Sequence, residues 1–374
     1  MINNERWYIR MSTAGYGNPF TVCFVMMKIK YHEYDKSIDG LNFINRDDKV
    51  NVFINFESVL DNLSMIRDIE NKLLLERKFP TILESEAINL CAHYKKFFRG
   101  NGLKTRVFLY YTDLSSQSFE NFKYNDEYRS YYVNKFINNP KYQLLGNKLV
   151  DTIIPRIQKI VEFIPDVHFI NGSGIDGSLV PMIIGESDKS YKNFIVTTDR
   201  CETQYLLDNS RYCVHYINRS PMGTKIYYKF NDYLTHLFKQ NIEEEPDIEL
   251  FENSSFYSTL LATIGDKTRS IDPLKGIGCK TMLKYLSTGI KDGLLIPNTN
   301  SFELIKKSIP EEKQEQAEEN FNCISLLNQY KDLSEQHLFS VNNQIINRFD
   351  FNSLLKLNQT DYVDFPLMLQ ELTQ

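Results

Sequence analysis

The chain has 374 residues, a formal net charge of −5, 42% hydrophobic and 13% aromatic content. This excludes a uniformly basic nucleic-acid binder, though not a local basic face, and it supplies enough apolar residues for one large domain or two ordinary ones. The six cysteines include no C-x-x-C, which argues against a zinc knuckle or redox pair and for reduced, buried thiols. No secretory signal opens the chain and no apolar run is long enough to span a bilayer, so the expectation is a soluble cytoplasmic protein without a membrane partner. The lean towards Asn, Ile, Lys, Tyr and Phe fits an AT-rich genome, such as that of a phage or a low-GC bacterium, and for a phage protein the compartment is the host cytoplasm.

Residues 1–45 mix aromatics with turn residues and are read as a small β-rich extension. KVNVFINF (49–56) reads as a buried strand, followed by a helical stretch, SVLDNLSMIRDIENKLLLERK, and a second one over about 84–98. RVFLYYTD (106–113) is a second strand. The aromatic and charged segment NFKYNDEYRSYYVNKF follows, then an amphipathic helix, LVDTIIPRIQKIVEFI, and the strand VHFI. NFIVTT (193–198) and RYCVHYI (211–217) are further strands, and from about 255 the pattern is helical. Strands alternating with helices predict an α/β fold with a mostly parallel sheet covered by helices on both faces. EEKQEQAEEN (311–320) reads as a solvated helix face.

Two glycine motifs compete for the function. Gly172, Gly174 and Gly177 form G-x-G-x-x-G after an apolar run, and Asp199 ends the next one. That is the spacing of a dinucleotide-binding turn with a ribose-binding acid. The second motif lies in GDKTRSIDPLKGIGCKTMLKY (265–285), where Gly276-Ile277-Gly278 leads through Lys280 and Thr281 into a helix. Glycines let backbone N–H groups approach a phosphate, and a helix N-terminus favours the anion. Lys267, Arg269, Lys275, Lys280 and Lys284 make this window basic within an acidic chain, so these residues, with Gly276, Gly278 and Thr281, are the candidate DNA contacts. The alternative is a plain glycine turn between two core helices.

GDKTRSIDPLKGIGCKT resembles the helix–three-turn–helix of the 5′ nuclease superfamily, which includes flap endonucleases and phage 5′–3′ exonucleases; the usual pattern is close to G-D-x-S-D-N-I-P-G-V-x-G-I-G-x-K-T. TTDRCETQYL (197–206) is similar to that family's T-G-D-x-D-x-x-Q-L, with Gln204 and Leu206 in place, and YNDEYRSYYVNKF sits where its arch would be. The resemblance covers roughly 48–330. It implies a PIN-like domain over 46–220 after an N-terminal extension over 1–45, a helix-hairpin-helix DNA-binding domain over 221–330, and a helical tail over 331–374. In the arch, Lys123, Arg129 and Lys135 with Tyr124, Tyr128, Tyr131 and Tyr132 are candidates for stacking on and neutralising single-stranded DNA, Arg129 foremost. The alternative is a helix whose tyrosines pack on the core.

The family hydrolyses phosphodiesters with two divalent metals held by Asp and Glu. The resemblance puts Asn55 at the first-strand Asp, where its amide oxygen is a weak ligand, and Thr112 at the second, with Asp113 adjacent. SGIDGSL falls on the family's E-A-D-D, so Gly174 and Gly177 stand for two lost ligands while Asp176 is kept. On this alignment the G-x-G-x-x-G arises from lost carboxylates. Asp199 is kept with Cys201 replacing its partner; Asp266 is kept with Arg269 replacing the next Asp. The residual metal or catalytic set is therefore Asp176, Asp199 and Asp266, with Asp113 beside them. Glu57 and Glu202 are displaced from the pattern and read as surface acids. A unit charge about 4 Å from another is worth roughly 4 kcal/mol at an effective dielectric near 20, doubled for a divalent ion. Arg269 pointing inward would repel metal and partly replace it; pointing outward it would meet a DNA phosphate.

The resemblance thus implies a DNA-binding or scaffolding subunit, with one Mg²⁺ or Mn²⁺ or none and with hydrolysis mostly or wholly lost. Its partners would be branched or single-stranded DNA, bound without sequence preference, and proteins of a phage replication, recombination or transcription assembly. The alternatives are an active 5′–3′ exonuclease or flap endonuclease with a rebuilt site, and a protein–protein module without DNA.

Overall fold

The structure, a computed structural model, describes residues 5–13, 22–30, 44–45, 47–63, 72–112, 149–172, 175–208, 210–216, 225–227, 229–230, 232–233, 254–266, 269, 271–292 and 302–335. Two strands, β1 (Glu5–Thr13) and β2 (Val22–Lys30), form an antiparallel pair at the start of the chain. The main sheet contains β3 (Lys49–Asn55), β4 (Lys104–Thr112), β5 (Val167–Gly172), β6 (Tyr191–Thr197), β7 (Tyr212–Tyr216) and β8 (Lys225–Tyr227), in the order β5-β4-β3-β6-β7-β8. The first five are parallel and β8 closes the edge antiparallel to β7. This is the expected α/β, mostly parallel architecture.

The strand sequences explain why both faces are covered. Along β3, Val50, Val52 and Ile54 face one core while Phe53 faces another, the period of two that a strand imposes. The first core is completed by α1 (Phe56–Leu63), α2 (Lys72–Gly100) and α3 (Ile154–Glu162, entered through a π-turn at Leu149–Ile153). The second lies under α4 (Val180–Ser187), a 3₁₀ segment at Arg200–Asp208, α5 (Ser254–Ile264), α6 (Cys279–Lys291), α7 (Phe302–Lys306), α8 (Glu311–Ile324) and α9 (Leu326–Glu335). α2 is longer than expected and runs through Pro80. A proline there removes one intrahelical hydrogen bond, and the buried face from Leu83 to Phe98 anchors the helix beyond it.

α8 carries the charged segment on its exposed side and buries Ala317 and Phe321, as the solvated-face reading expects. Five cysteines, Cys91, Cys201, Cys213, Cys279 and Cys323, are free and buried. No described helix is long and apolar enough to cross a membrane.

The order of strands reverses between β3 and β6. In open α/β sheets the crevice beyond the carboxyl ends of such a pair is where ligands bind. Asn55 ends β3 and Asp199 follows β6, so the sequence's candidate acids gather at this crevice.

Candidate active site: a carboxylate pocket holding an arginine

Arg269 reaches the crevice because of how α5 ends. Gly265 stops the helix at φ +70°, a conformation few side chains adopt, and a Cβ there would lie 2.6 Å from the Ile271 carbonyl oxygen. The chain then folds back on itself. The Asp266 N–H donates to the Ile271 carbonyl at 3.0 Å, and the Ile271 N–H donates to the Asp266 carbonyl at 2.9 Å. At the head of this loop the Arg269 N–H donates to the Asp266 carbonyl at 3.2 Å, and its side chain is completely buried.

The guanidinium is bound on every side. Nε donates to Asp199 Oδ2 at 2.9 Å, and Nη2 lies 2.7 Å from the same oxygen. Nη1 donates to Asp176 Oδ2 at 2.7 Å and to the carbonyl of Cys323 in α8 at 3.3 Å. Nη2 also donates to Ser178 Oγ at 2.7 Å. Such a planar fork against two carboxylates suits arginine. Arg269 therefore does not serve as an exposed DNA contact, because its charge is consumed inside the fold.

The carboxylates are held from behind as well. Asp176 Oδ1 caps the 3₁₀ turn Gly177–Leu179 by accepting the Ser178 N–H at 2.9 Å. Asp199 Oδ1 accepts the Cys201 N–H at 2.9 Å, and the Asp199 N–H donates to Thr197 Oγ1 at 2.9 Å. Asp266 is buried and its Oδ2 accepts from Cys201 Sγ at 3.6 Å. Asp176 and Asp199 thus meet on Arg269, and Asp266 lies beside Cys201. Asp113, Lys267, Arg129, Gly174 and the arch segment 119–145 lie outside the described residues.

Glu202 is not a surface acid. It is fully buried, and its Oε1 accepts from Asn55 Nδ2 at 3.0 Å and from the Tyr110 hydroxyl at 2.8 Å. Its Oε2 is buried and makes no hydrogen bond of normal geometry. Burial, reinforced by the Asp199 charge, pushes the carboxyl up to about 8, so the group is mostly neutral at pH 7. Asn55 is absorbed too, since its Oδ1 accepts the Glu57 N–H at 2.9 Å at the start of α1. Glu57 itself is half-buried.

The G-x-G-x-x-G receives a packing explanation. A Cβ on Gly177 would lie 2.7 Å from the Thr112 nitrogen, and one on Gly172 would lie 3.1 Å from the Tyr111 carbonyl oxygen and 3.2 Å from Gly177 Cα. The Gly177 N–H donates to Thr112 Oγ1 at 2.9 Å. These two glycines press the chain after β5 against the end of β4, a packing role that accounts for both. The motif also follows the edge strand β5, away from the reversal of strand order. Asp199, engaged by Arg269, is unavailable to a ribose.

Nor do the residues fit a pair of hard divalent cations. Asp199, Cys201 and Asp266 bring one ligand atom each within 4.8 Å of one another. The Cys201 thiol, however, is pushed far up by burial and stays protonated, a poor partner for Mg²⁺ or Mn²⁺. Two of the carboxylates already neutralise a guanidinium, which a divalent ion would have to displace or face.

The glycine turn is the opposite kind of place. Gly276 has φ +82° and Gly278 heads α6, with the Met282 N–H donating to its carbonyl at 3.0 Å. Among the described residues, a Cβ on either glycine would meet nothing within 4 Å. Lys275, Lys280 and Lys284 are exposed around them, while Leu274, Ile277 and Met282 anchor the turn in the core. Thr281 is half-buried in the first turn of α6.

Gln204, matched in the sequence, joins the two halves. Its Nε2 donates to the Cys201 carbonyl at 2.9 Å and the Ile324 carbonyl at 2.8 Å, and its Oε1 accepts from Ser258 Oγ at 2.8 Å.

No protein-family model matches the chain, and no curated protein matches it. Among solved structures, it is similar to a pseudo-enzyme–product complex of the bacteriophage T5 flap endonuclease with DNA and metal ions. The identity is 13% and the TM-score 0.46, over 83% of this chain and 99% of that one. It is also similar to the T5 5′-exonuclease with bound zinc, at 12% identity and a TM-score of 0.46 over 77% of this chain and 96% of that one. Both of these solved structures are of a T5 5′ nuclease.

Proposed function

We propose that this protein grips DNA through the Gly276–Gly278 turn and has lost metal-dependent hydrolysis. The observation that carries the reading is the bareness of Gly278. Its φ is not in the left-handed region, and among the described residues nothing crowds its missing side chain. An external group approaching the backbone supplies a reason for the glycine. The first N–H groups of α6 lie beside it without intrahelical partners, and Lys275, Lys280 and Lys284 stand around it. Backbone donors and lysines of this kind hold phosphates and ignore base sequence.

The resemblance of residues 265–281 and 197–206 to 5′ nucleases supports branched or single-stranded DNA as the ligand. A scaffolding role in a phage-like replication, recombination or transcription assembly follows from binding without cutting. Loss of hydrolysis is supported by Arg269. Two-metal chemistry needs carboxylates free to hold cations, and here Asp176 and Asp199 hold an arginine.

The test is a paired binding and cleavage assay on a 5′-flap DNA, with Mg²⁺ or Mn²⁺ and over a salt series. Salt-sensitive binding without cleavage is the expected result. Metal-dependent cleavage abolished by Asp199→Ala would overturn the loss of hydrolysis. Absence of binding would overturn the DNA reading.

A further inference from the structure

The arginines differ in what neutralises them. Arg99 pairs with Asp166, Arg106 with Asp188, Arg156 with Glu84, Arg211 with Glu186, and Arg269 with Asp176 and Asp199. Among the arginines whose side chains the structure describes, Arg200 alone has no described carboxylate within ion-pair distance. It is nonetheless half-buried. A charge drawn partly out of water loses hydration that a counter-charge normally replaces.

Arg200 opens the 3₁₀ segment after Asp199 and reaches across to the end of α5, where Nη1 donates to the Gly265 carbonyl oxygen at 3.4 Å. The guanidinium also meets the Tyr216 hydroxyl at the end of β7, with Tyr233 and Tyr257 close by. Burial holds all three hydroxyls above their usual range, so they stay neutral. Asp266 acts on the guanidinium only from beyond ion-pair distance. These groups are dipoles that orient the fork, and they leave N–H groups over for another partner.

Its position supplies one. Gly265 ends α5 and Cys279 begins α6, the two helices that flank the glycine turn. Arg200 touches the first and lies near enough to the second for its charge to act on the Cys279 thiol. Lys275, Lys280 and Lys284 come from the turn and α6, whereas Arg200 comes from the carboxyl end of the sheet.

We infer that Arg200 is a phosphate contact: it extends the DNA-binding surface from the glycine turn onto the carboxyl end of the sheet and takes a backbone phosphate as its counter-charge. A phosphodiester offers two oxygens to a guanidinium fork, which suits arginine. The inference rests on the proposed DNA binding and adds to it a residue far from the turn in sequence. The competing role is a strut, since a cation at the end of α5 also favours the helix carbonyls.

Binding of a 5′-flap DNA is measured over a salt series for the full-length native protein, Arg200→Gln and Arg200→Lys. Glutamine keeps a donor for the Gly265 carbonyl and drops the charge; lysine keeps the charge. Arg200→Gln is expected to lower the slope of log affinity against log salt by about 0.7–0.9, so that its deficit grows about five- to eightfold for each tenfold fall in salt. Arg200→Lys is expected to keep the native slope. A native slope in Arg200→Gln overturns the inference, and reduced affinity at every salt concentration would then mark a strut. A slope lowered equally by both substitutions overturns it as well.

Should Arg200→Gln not fold, phenylglyoxal labelling of the native protein, read by peptide mass spectrometry, takes its place. Arg200 is expected to react in the free protein and to be protected by the flap DNA. Failure to react, or reaction undiminished by DNA, overturns the inference. Native protein that binds no DNA would remove the DNA reading and this contact with it. A salt slope that responds to Lys275→Glu with Lys280→Glu but not to Arg200→Gln would leave the DNA reading standing and remove the contact alone.

Discussion

The carboxylate pocket and the glycine turn lie close together in sequence and are built by opposite rules. In the pocket the charges meet one another inside the fold: Arg269 is wholly buried, Asp176 nearly so, and the guanidinium pairs with Asp176 and Asp199. At the turn the charges face outward and the glycine positions are empty of neighbours. A closed pocket spends its electrostatics on holding the protein together, whereas an open turn keeps its electrostatics for a ligand. The two regions should therefore respond to substitution in different observables, stability for one and DNA affinity for the other.

The largest effect is expected at the arginine. Arg269→Ala leaves Asp176 and Asp199 buried without their counter-charge and should cost about 3–5 kcal/mol, read by urea unfolding. A cost below about 1 kcal/mol would mean the pocket opens easily to water and the contrast is weaker than drawn. Charge reversal at the turn, Lys275→Glu with Lys280→Glu, should leave stability within about 0.5 kcal/mol. It should flatten the dependence of DNA affinity on salt by about 1.8 logarithmic units per decade, the value for two phosphate contacts. An unchanged salt slope would show that these lysines do not meet phosphate.

A glycine pair sharpens the comparison. Gly177→Ala forces a Cβ into the end of β4 and should cost about 1–3 kcal/mol by overpacking. Gly278→Ala meets nothing among the described residues and should change stability by less than about 0.5 kcal/mol while weakening DNA binding. Equal effects of both substitutions on stability would erase the distinction between inward and outward glycines.

A further prediction concerns pH. Glu202 titrates at about 8 when folded, against about 4.3 for an unperturbed glutamate. Between those values the folded state holds a proton that the unfolded state has released, so stability falls as pH rises through this window. Glu84, raised to about 7 by burial against the opposing pull of Arg156, acts in the same direction. Glu202→Gln keeps an oxygen for the Asn55 and Tyr110 donors and should flatten the decline in melting temperature between pH 6 and pH 8.

The strands were legible because a parallel sheet buried on both faces writes itself as unbroken apolar runs. NFIVTT and RVFLYYTD lie within two residues of the ends of β6 and β4. The set Asp176, Asp199 and Asp266 came from the resemblance of SGIDGSL, TTDRCETQYL and GDKTRSIDPLKGIGCKT to 5′ nuclease motifs. Side-chain direction was not legible. Whether Arg269 turned inward depended on a loop closed by Gly265 and the Asp266–Ile271 bridge, a pairing six residues long with no hydrophobic period to announce it. Glu202 was misread for a similar reason. A 3₁₀ segment rotates side chains differently from an α-helix, and the acid's partners, Asn55 and Tyr110, come from strands distant in sequence. The one sign in the sequence is Cys201 beside Glu202, with Tyr205 and Leu206 following, while the burial of Thr203 and Gln204 shows only in the structure.

The close approach of Gly172 and Gly177 to the end of β4 also constrains what this protein can become. An acidic side chain at position 177 would collide with the Thr112 backbone, so no single codon change can place a useful ligand there. Placing a carboxylate at position 177 would first require β4 to shorten or shift, and each such step would lose stability. Selection acting one substitution at a time would meet a valley on that path, and descendants of this chain should vary the glycine turn far more readily than position 177.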